Sequence, residues 1–221
     1  MGAPLLIFDL DGTLIDSRLD LAYSVNAARA FMGMPALEHE TVYRYVGNGA
    51  AMLIQRALGE MASPENNEKA LNFFLGYYAE HKLDYTVLYP GVREALDRFL
   101  EQRVPMAVLT NKPVRISKAI VDELGLGAHF FEVYGGNSFE FKKPHPIGIE
   151  KLMAEAGAAA ADTIMVGDSG VDVQTARNAR VRSCGVTYGF QPETFTQHPP
   201  DILVDRLEEL AGHIFANQSA L

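Results

Sequence analysis

The sequence predicts an α/β protein, a doubly wound parallel sheet with an inserted helical subdomain, and three observations predict it. Short, uninterrupted apolar runs, each ended by polar residues, recur along the chain: Leu5-Leu6-Ile7-Phe8, Met106-Ala107-Val108-Leu109, Ile164-Met165-Val166 and Ile202-Leu203-Val204. That is the look of a strand buried on both faces of a parallel sheet. Between the runs lie helical periods: Val92, Leu96, Phe99 and Leu100; Ile116, Ile120, Val121 and Leu124; Ile149, Leu152 and Met153. Strand alternating with helix gives the doubly wound sheet. The third observation is a break in that rhythm, because amphipathic helices follow one another from 17 to 85 with no convincing strand. Leu21, Val25, Ala28 and Met32 share one face there, and Leu71, Phe74, Leu75 and Tyr78 another.

The expected organisation is therefore an α/β core of residues 1–16 and 86–221 and a helical cap of 17–85. The chain leaves the cap near Leu88-Tyr89-Pro90-Gly91, where Pro starts the next helix. Two linkers would let the cap move. Tyr43, Tyr45, Phe73, Phe74, Tyr77 and Tyr78 read mostly as cap core by their spacing. One face of them is the candidate contact of a homodimer, the alternative to a monomer. The alanine run 158–161 reads as a loop or frayed helix end, and the tail 217–221 as frayed.

Composition bounds the function. With 221 residues, 48% of them hydrophobic, the chain fills a full core, which excludes disorder and disulfide-stapled miniature folds. Nineteen Lys and Arg against 28 Asp and Glu leave a net charge of −9 without runs of like charge. Nucleic acid and anionic membranes reward Lys and Arg, so neither is the expected partner. Cys184, the one cysteine, removes structural disulfides and thiolate metal clusters, and reads as a small buried side chain. The first residues lack the basic stretch of a signal peptide, Leu6 stands where a myristoylation pattern needs Ser or Thr, and no window approaches the ~20 apolar residues of a membrane span. A reducing, cytoplasmic compartment is expected.

The chemistry gathers after the first strand, where Asp9, Asp11, Thr13 and Asp16 crowd one loop. Clustered carboxylates repel unless something positive sits among them. In an open α/β sheet the loops at the carboxyl ends of the strands converge on one crevice, and the other loops bring Thr110, Asn111 and Lys112, then Lys143, then Asp168 and Asp172. A hard cation with oxygen ligands suits the carboxylates, and Mg²⁺ suits a site that leaves positions for water and a phosphate oxygen. The lysines and loop amides suit the remaining phosphate charge.

The motifs Asp9-Leu10-Asp11-Gly12-Thr13, Leu109-Thr110-Asn111, Lys143-Pro144 and Gly167-Asp168-Ser169-Gly170-Val171-Asp172, in that order on an alternating α/β pattern, resemble those of the haloacid dehalogenase superfamily of phosphatases. The resemblance spans most of the chain and implies a Rossmann-like core with a cap. It implies Asp9 as the nucleophile that becomes an aspartyl phosphate, and Asp11 as general acid to the leaving alkoxide, then base for water. Thr110, with the Asn111 amide, would bond a phosphoryl oxygen, and Lys143 would neutralise charge shared by Asp9 and the phosphate. Asp168 would complete a Mg²⁺ shell with Asp9 and the Asp11 carbonyl oxygen, Asp172 orienting it from outside or ligating it. Members that cleave carbon–halogen bonds lack a carboxylate at the position of Asp11, so the resemblance favours phosphate esters. Thr110-Asn111-Lys112-Pro113, Lys143-Pro144-His145-Pro146 and Val46-Gly47-Asn48-Gly49 are similar to the phosphoglycolate phosphatase branch, which implies 2-phosphoglycolate as substrate. Its carboxylate needs donors, and Arg44 with the Gly47-Asn48-Gly49 amides is the first candidate, ahead of Arg18 and Arg56.

Pyrophosphate or a sugar phosphate stand next as substrates. A phosphomutase would use the same nucleophile and acid, and a binding module the same fold without turnover. Intact Asp9, Asp11, Lys143 and Asp168 weigh against the last. Several residues have plainer readings. Asp16 with Ser17 reads as a helix N-cap, Lys142 as a solvated lysine, and Lys112 as equally a phosphate donor or a surface lysine. Gly167-Asp168-Ser169-Gly170 has the letters of a serine-protease nucleophile loop but sits between strand and helix. The histidines read as surface or packing residues, His145 beside Lys143 being the exception to watch.

Overall fold

A computed structural model describes residues 4–215; the tail expected to fray at 217–221 and the first three residues lie outside them. Strand β1 (Leu5–Phe8) runs through the middle of the molecule with all four side chains 0% exposed. The apolar run makes this possible, because helices cover both faces and each face needs a hydrophobe at every second residue. Leu6 and Phe8 enter one core cluster and Leu5 and Ile7 the other.

The chain then forms a short strand β2 (Ile15–Asp16), four helices α1 (Arg18–Phe31), α2 (His39–Tyr43), α3 (Ala50–Leu58) and α4 (Pro64–His81), and a return strand β3 (Val87–Leu88). Beyond it follow α5 (Val92–Glu101), β4 (Met106–Leu109), α6 (Val114–Glu123), β5 (Glu132–Tyr134), α7 (Ile147–Ala156), β6 (Thr163–Gly167), α8 (Gly170–Ala179), β7 (Arg182–Val186), β8 (Ile202–Val204) and α9 (Leu210–Phe215). The main sheet has six strands in the order β5-β4-β1-β6-β7-β8, every neighbouring pair parallel. The order reverses at β1, so the crevice outside its carboxyl end is the topological switch point where ligands of open α/β sheets bind.

Two main-sheet strands escaped the sequence reading. In β7, Arg182, Ser183 and Gly185 interrupt the apolar run, and β5 is a three-residue edge strand. The helical periods fare better, with Val92, Leu96 and Phe99 buried, although Leu100 is 43% exposed and faces solvent. Pro90 does not open α5. Gly91 caps that helix in the left-handed region, one residue later. The alanine run ends in a 3₁₀ turn at Ala160–Asp162, and Cys184 is 1% exposed with its thiol pushed up to about 12 by burial.

Strands β2 and β3 pair antiparallel, Ile15 opposite Leu88 and Asp16 opposite Val87, so the two connections to the four-helix insertion run side by side. The buried Asp20 carboxylate at the start of α1 fastens the return, accepting from the Tyr85 amide (3.0 Å), the Thr86 amide (2.8 Å) and the Thr86 hydroxyl (2.7 Å). Leu21, Val25 and Ala28 of α1 and Phe74 and Tyr78 of α4 are buried in a hydrophobic cluster continuous with one face of the main sheet. Other rings of the insertion lie nearer the surface, where Phe73 stacks on Phe31 (4.4 Å between centroids) and Tyr77 on His81 (4.2 Å). Among the described residues no helix is long and apolar enough to cross a membrane.

Candidate active site

Asp9, Thr110 and Asp168 each stand directly where a parallel strand ends. Beyond β1 the chain turns at once, the Leu14 and Ile15 amides donating back to the Leu10 carbonyl and the Gly12 amide to that of Ile15. This turn sets Asp9 and Asp11 two residues apart at the mouth of the crevice. Gly12 is required there: its φ is +80°, and a Cβ would stand 2.2 Å from Asp168 Oδ2. Gly12→Ala is expected to cost on the order of 3 kcal/mol and lower Tm by about 10 °C in a thermal melt.

The ends of β4 and β6 supply the other groups. Thr110 is fixed by its amide donating to the Tyr134 carbonyl. Beyond β6, Asp168 accepts from the Phe190 amide at 2.6 Å, and Ser169 and Asp172 form a reciprocal capping box at the start of α8. The Gly-Asp-Ser-Gly serine is thus a helix cap. Lys143, in the loop before α7, reaches between two strand ends, with Nζ 3.0 Å from Asp9 Oδ2 and 2.7 Å from Asp172 Oδ1. It is 5% exposed. Burial alone would lower the Lys143 pKa, but Asp172 and Asp9 outweigh burial and raise it, so the lysine is held charged.

Asp9, Asp168 and Asp172 each offer a carboxylate oxygen, and these lie within 4.8 Å of one another. Burial is the largest influence on Asp9, raising its pKa to about 6 together with the Asp172 charge, against the pull of Lys143. Asp168 is pushed well above the ordinary range, first by burial and then by Asp172 and Asp9. Three closely set acids, Asp168 and Asp172 buried and Asp9 half-buried, thus have one lysine among them, paired with Asp9 and Asp172. An all-oxygen donor set with excess negative charge fits a hard divalent cation.

A second lysine serves the other carboxylate. Lys112 is buried, with Nζ 2.7 and 3.0 Å from the two oxygens of Asp11 and 2.5 Å from the hydroxyl of Tyr78 on α4. It is therefore not a solvated lysine, and its Nζ contacts are Asp11 and Tyr78. Ser17 holds the N-cap position of α1 as expected, but its hydroxyl donates to Asp11 (2.5 Å) and makes no side-chain bond to the helix. Asp16 instead pairs with Arg18, its Oδ1 accepting from the Arg18 amide (3.3 Å) and from Nε (2.9 Å). Tyr78 was legible only as a core position of α4. It is core, and it also lines the cavity with Phe74.

The cavity over these groups is roofed by Leu21, Leu53 and Phe74 of the insertion and walled by Thr110, Lys112 and Phe190 of the core. Three consecutive carbonyls of the turn before α3 are held by core side chains: Val46 by Gln191 (2.9 Å), Gly47 by Asn111 (3.0 Å) and Asn48 by Lys142 (2.5 Å). Gly49 permits the approach, since a Cβ there would be 3.0 Å from the Asn111 carbonyl. Gly47, Gly49, Asp9, Asp11, Thr110, Asn111 and Asp168 all border this cavity, while Lys143 and Asp172 stand behind Asp9. Arg44 is not brought there. It is exposed and donates to the Thr41 hydroxyl at 3.4 Å, because α2 turns it outward. Asn48 meets the core through its carbonyl rather than the cavity, and Arg56 donates to the Tyr45 carbonyl. Arg18 stays with Asp16, its guanidinium 5.6 Å from the Phe190 ring centre. His145 is exposed and stacks on Phe141, away from the acids.

Comparison with known proteins adds to this geometry. The family model of the haloacid dehalogenase-like hydrolases matches residues 6–186. The phosphoglycolate phosphatase of Vibrio parahaemolyticus is 38% identical over 213 residues, covering 93% of this chain and 93% of the relative. That of Pseudomonas putida is 40% identical over 213 residues, covering 93% of this chain and 78% of the relative. The crystal structure described as a predicted phosphoglycolate phosphatase from Haemophilus somnus superposes with a TM-score of 0.90 at 32% identity, over 96% of this chain and 97% of that one.

Proposed function

The chain belongs to the haloacid dehalogenase-like hydrolase family, and from that premise we propose that it is a Mg²⁺-dependent phosphate monoester hydrolase working through an aspartyl phosphate on Asp9, with 2-phosphoglycolate as its substrate. The observation that carries this reading is the separate partnering of two carboxylates two residues apart. Asp9 is bonded to Lys143 within the acidic cluster, and Asp11 to Lys112 and Ser17 on the cavity side. This partnering supports Asp9 as the nucleophile beside a charge-neutralising group and Asp11 as the proton carrier for the leaving group.

In the first half-reaction an Asp9 carboxylate oxygen attacks phosphorus and the ester oxygen departs, taking a proton from Asp11. In the second, Asp11 removes a proton from water, whose oxygen attacks phosphorus, and the phosphorus–Asp9 bond breaks to release phosphate. Lys143 keeps Asp9 within reach of a dianion by balancing its charge, and Asp172 fixes Lys143 from behind. Thr110 and the Asn111 amide stand at the cavity wall as phosphoryl donors. Asp9, Asp168 and the Asp11 carbonyl, with Asp172 behind, would hold Mg²⁺, which when bound offsets phosphate charge. The apolar roof excludes bulk water, and the helical insertion, residues 17–85, acts as the cap that opens for substrate. Among the described residues no arginine lines the cavity, which favours hydrolysis over a mutase that must seat a second phosphate. The acidic balance and single buried cysteine suit a soluble enzyme of the cytoplasm, monomeric or homodimeric, a choice that size-exclusion chromatography makes.

Phosphate release with Mg²⁺ across phosphoglycolate, pyrophosphate, hexose phosphates and nucleotides tests this reading. The highest kcat/KM is expected for phosphoglycolate, and no release from any ester would overturn the hydrolase assignment. Chelation should stop turnover. Ca²⁺ should support less than about a tenth of the Mg²⁺ rate, because its longer and looser coordination misplaces Asp9. Equal rates with both ions would contradict the metal role.

A further inference from the structure

Among the described residues Lys112 is the one cationic side chain lining the cavity. The groups around it are chiefly apolar, Leu21, Val46, Leu53, Phe74 and Phe190. Tyr78, 1% exposed, accepts from Lys112, and its own proton has no acceptor within hydrogen-bond reach among the described residues. Burial is the first of the influences that raise the phenol to about 12, so it keeps that proton. An ammonium and an unspent phenol donor therefore converge on one spot beside Asp11.

We propose that Lys112 and Tyr78 are the specificity-determining pair of this site, receiving a carboxylate that the leaving group carries one carbon from the ester oxygen. This rests on the hydrolase reading above. An acid serving the ester oxygen stands about 3 Å from it. Lys112 Nζ, 2.7 and 3.0 Å from the Asp11 oxygens, then lies within about 6 Å of the ester oxygen. A carboxylate on the adjoining carbon falls inside that radius, where Lys112 supplies charge and Tyr78 a second donor. A neutral alkyl group of the same shape would leave both donors without the anion, and a polyhydroxylated sugar would press its hydroxyls on apolar walls. The arginines of the insertion are turned to other partners, so discrimination falls to a lysine of the core and one phenol that α4 brings to it.

The test compares two substrates of the same heavy-atom skeleton, 2-phosphoglycolate and isobutyl phosphate. Lys112→Met also disturbs Asp11, which lowers both rates by a common factor, so the ratio of the two kcat/KM values is the reading. It is expected to fall about 30-fold in Lys112→Met, mostly through KM for phosphoglycolate, and about tenfold in Tyr78→Phe. Lys112→Arg should recover most of the lost ratio. Equal losses on both substrates would make Lys112 a positioning residue for Asp11 only and overturn the proposal. So would a wild-type enzyme that fails to prefer the carboxylate. Calorimetric binding of phosphoglycolate to Asp9→Asn protein, with and without Lys112→Met, reads the same contact without turnover, so absence of phosphate release would count against the hydrolase reading alone. Unchanged affinity on removing Lys112 would overturn the carboxylate contact.

Discussion

Asp9→Asn is expected to lower phosphate release by about 10⁴-fold or more while the protein stays folded, the scale on which removal of a covalent nucleophile acts. The amide oxygen of asparagine can still accept from the Leu10 amide, which donates to Asp9 Oδ1 at 2.7 Å, and Lys143 keeps Asp172 as its counter-ion. No buried charge is stranded by the change. A further expectation separates this residue from its neighbour. Asp9→Asn should form no covalent phosphoenzyme, whereas a variant at Asp11 should still accept the phosphoryl group from an ester with a good leaving group. Circular dichroism and steady-state phosphate release on the same preparation check the first claim, and substantial residual turnover would exclude Asp9 as nucleophile.

Asp168→Asn is expected to separate stability from activity. The folded protein raises the pKa of Asp168 well above its ordinary value, mainly by burial and then by the Asp172 and Asp9 charges. A raised carboxyl contributes its stability below the ordinary, unfolded value near 3.9, and that contribution is lost as pH rises through the folded value. At pH 7 the metal-free wild type therefore carries the cost of this acid, and a neutral isostere removes it. Asparagine keeps an acceptor for the Phe190 amide, so little else changes. Metal-free Asp168→Asn should melt about 5 °C higher than metal-free wild type at pH 7, on the order of 2 kcal/mol, with the gap narrowing towards pH 4. The order reverses with Mg²⁺. At about 100 times its dissociation constant the ion should stabilise wild type by about 2.7 kcal/mol, and the variant by much less, while the variant loses most of its turnover. A metal-free variant that melts lower at pH 7 would show that the acid cluster is not strained.

The fold was legible where burial on both faces leaves a short unbroken apolar run ended by polar residues, as in β1, β4 and the middle of β6. It was not legible in β7, where Gly185 lies under Phe195 and Pro200 and close packing demands a small residue in place of a hydrophobe. Strands β2 and β3 are two residues each and follow from the meeting of two distant connections, which no local pattern records. In the site, the residues directly after the strands could be named because the parallel sheet itself delivers them, Asp9, Thr110 and Asp168, whereas Lys143 lies in the loop beyond the unread β5 and was named from its Lys143-Pro144 motif. Asp172 could be placed near a helix start, and its bond to Lys143 explains why it stands there.

The partner of a long side chain is another matter. Arg44 was the natural donor for an acidic leaving group by its place before Gly47, yet a five-residue helix turns it to solvent. Lys112 carried no sign of its direction, because both its acceptors, Asp11 and Tyr78, lie on other elements, 101 and 34 residues away. Tyr78 showed only helical spacing, which a core position and a cavity wall share. The three carbonyls clasped before α3 were equally silent, since they are backbone groups whose partners come from loops far along the chain.

If Asp9 carries the phosphoryl group, the intermediate can be trapped on it. Wild-type enzyme mixed with phosphoglycolate and Mg²⁺, quenched in acid during turnover and reduced with borohydride, converts an aspartyl phosphate to homoserine, which peptide mass spectrometry locates. Homoserine is expected at position 9 in wild type and not in Asp9→Asn. Phosphate release at full rate with homoserine absent from position 9, or found at another aspartate, would contradict it.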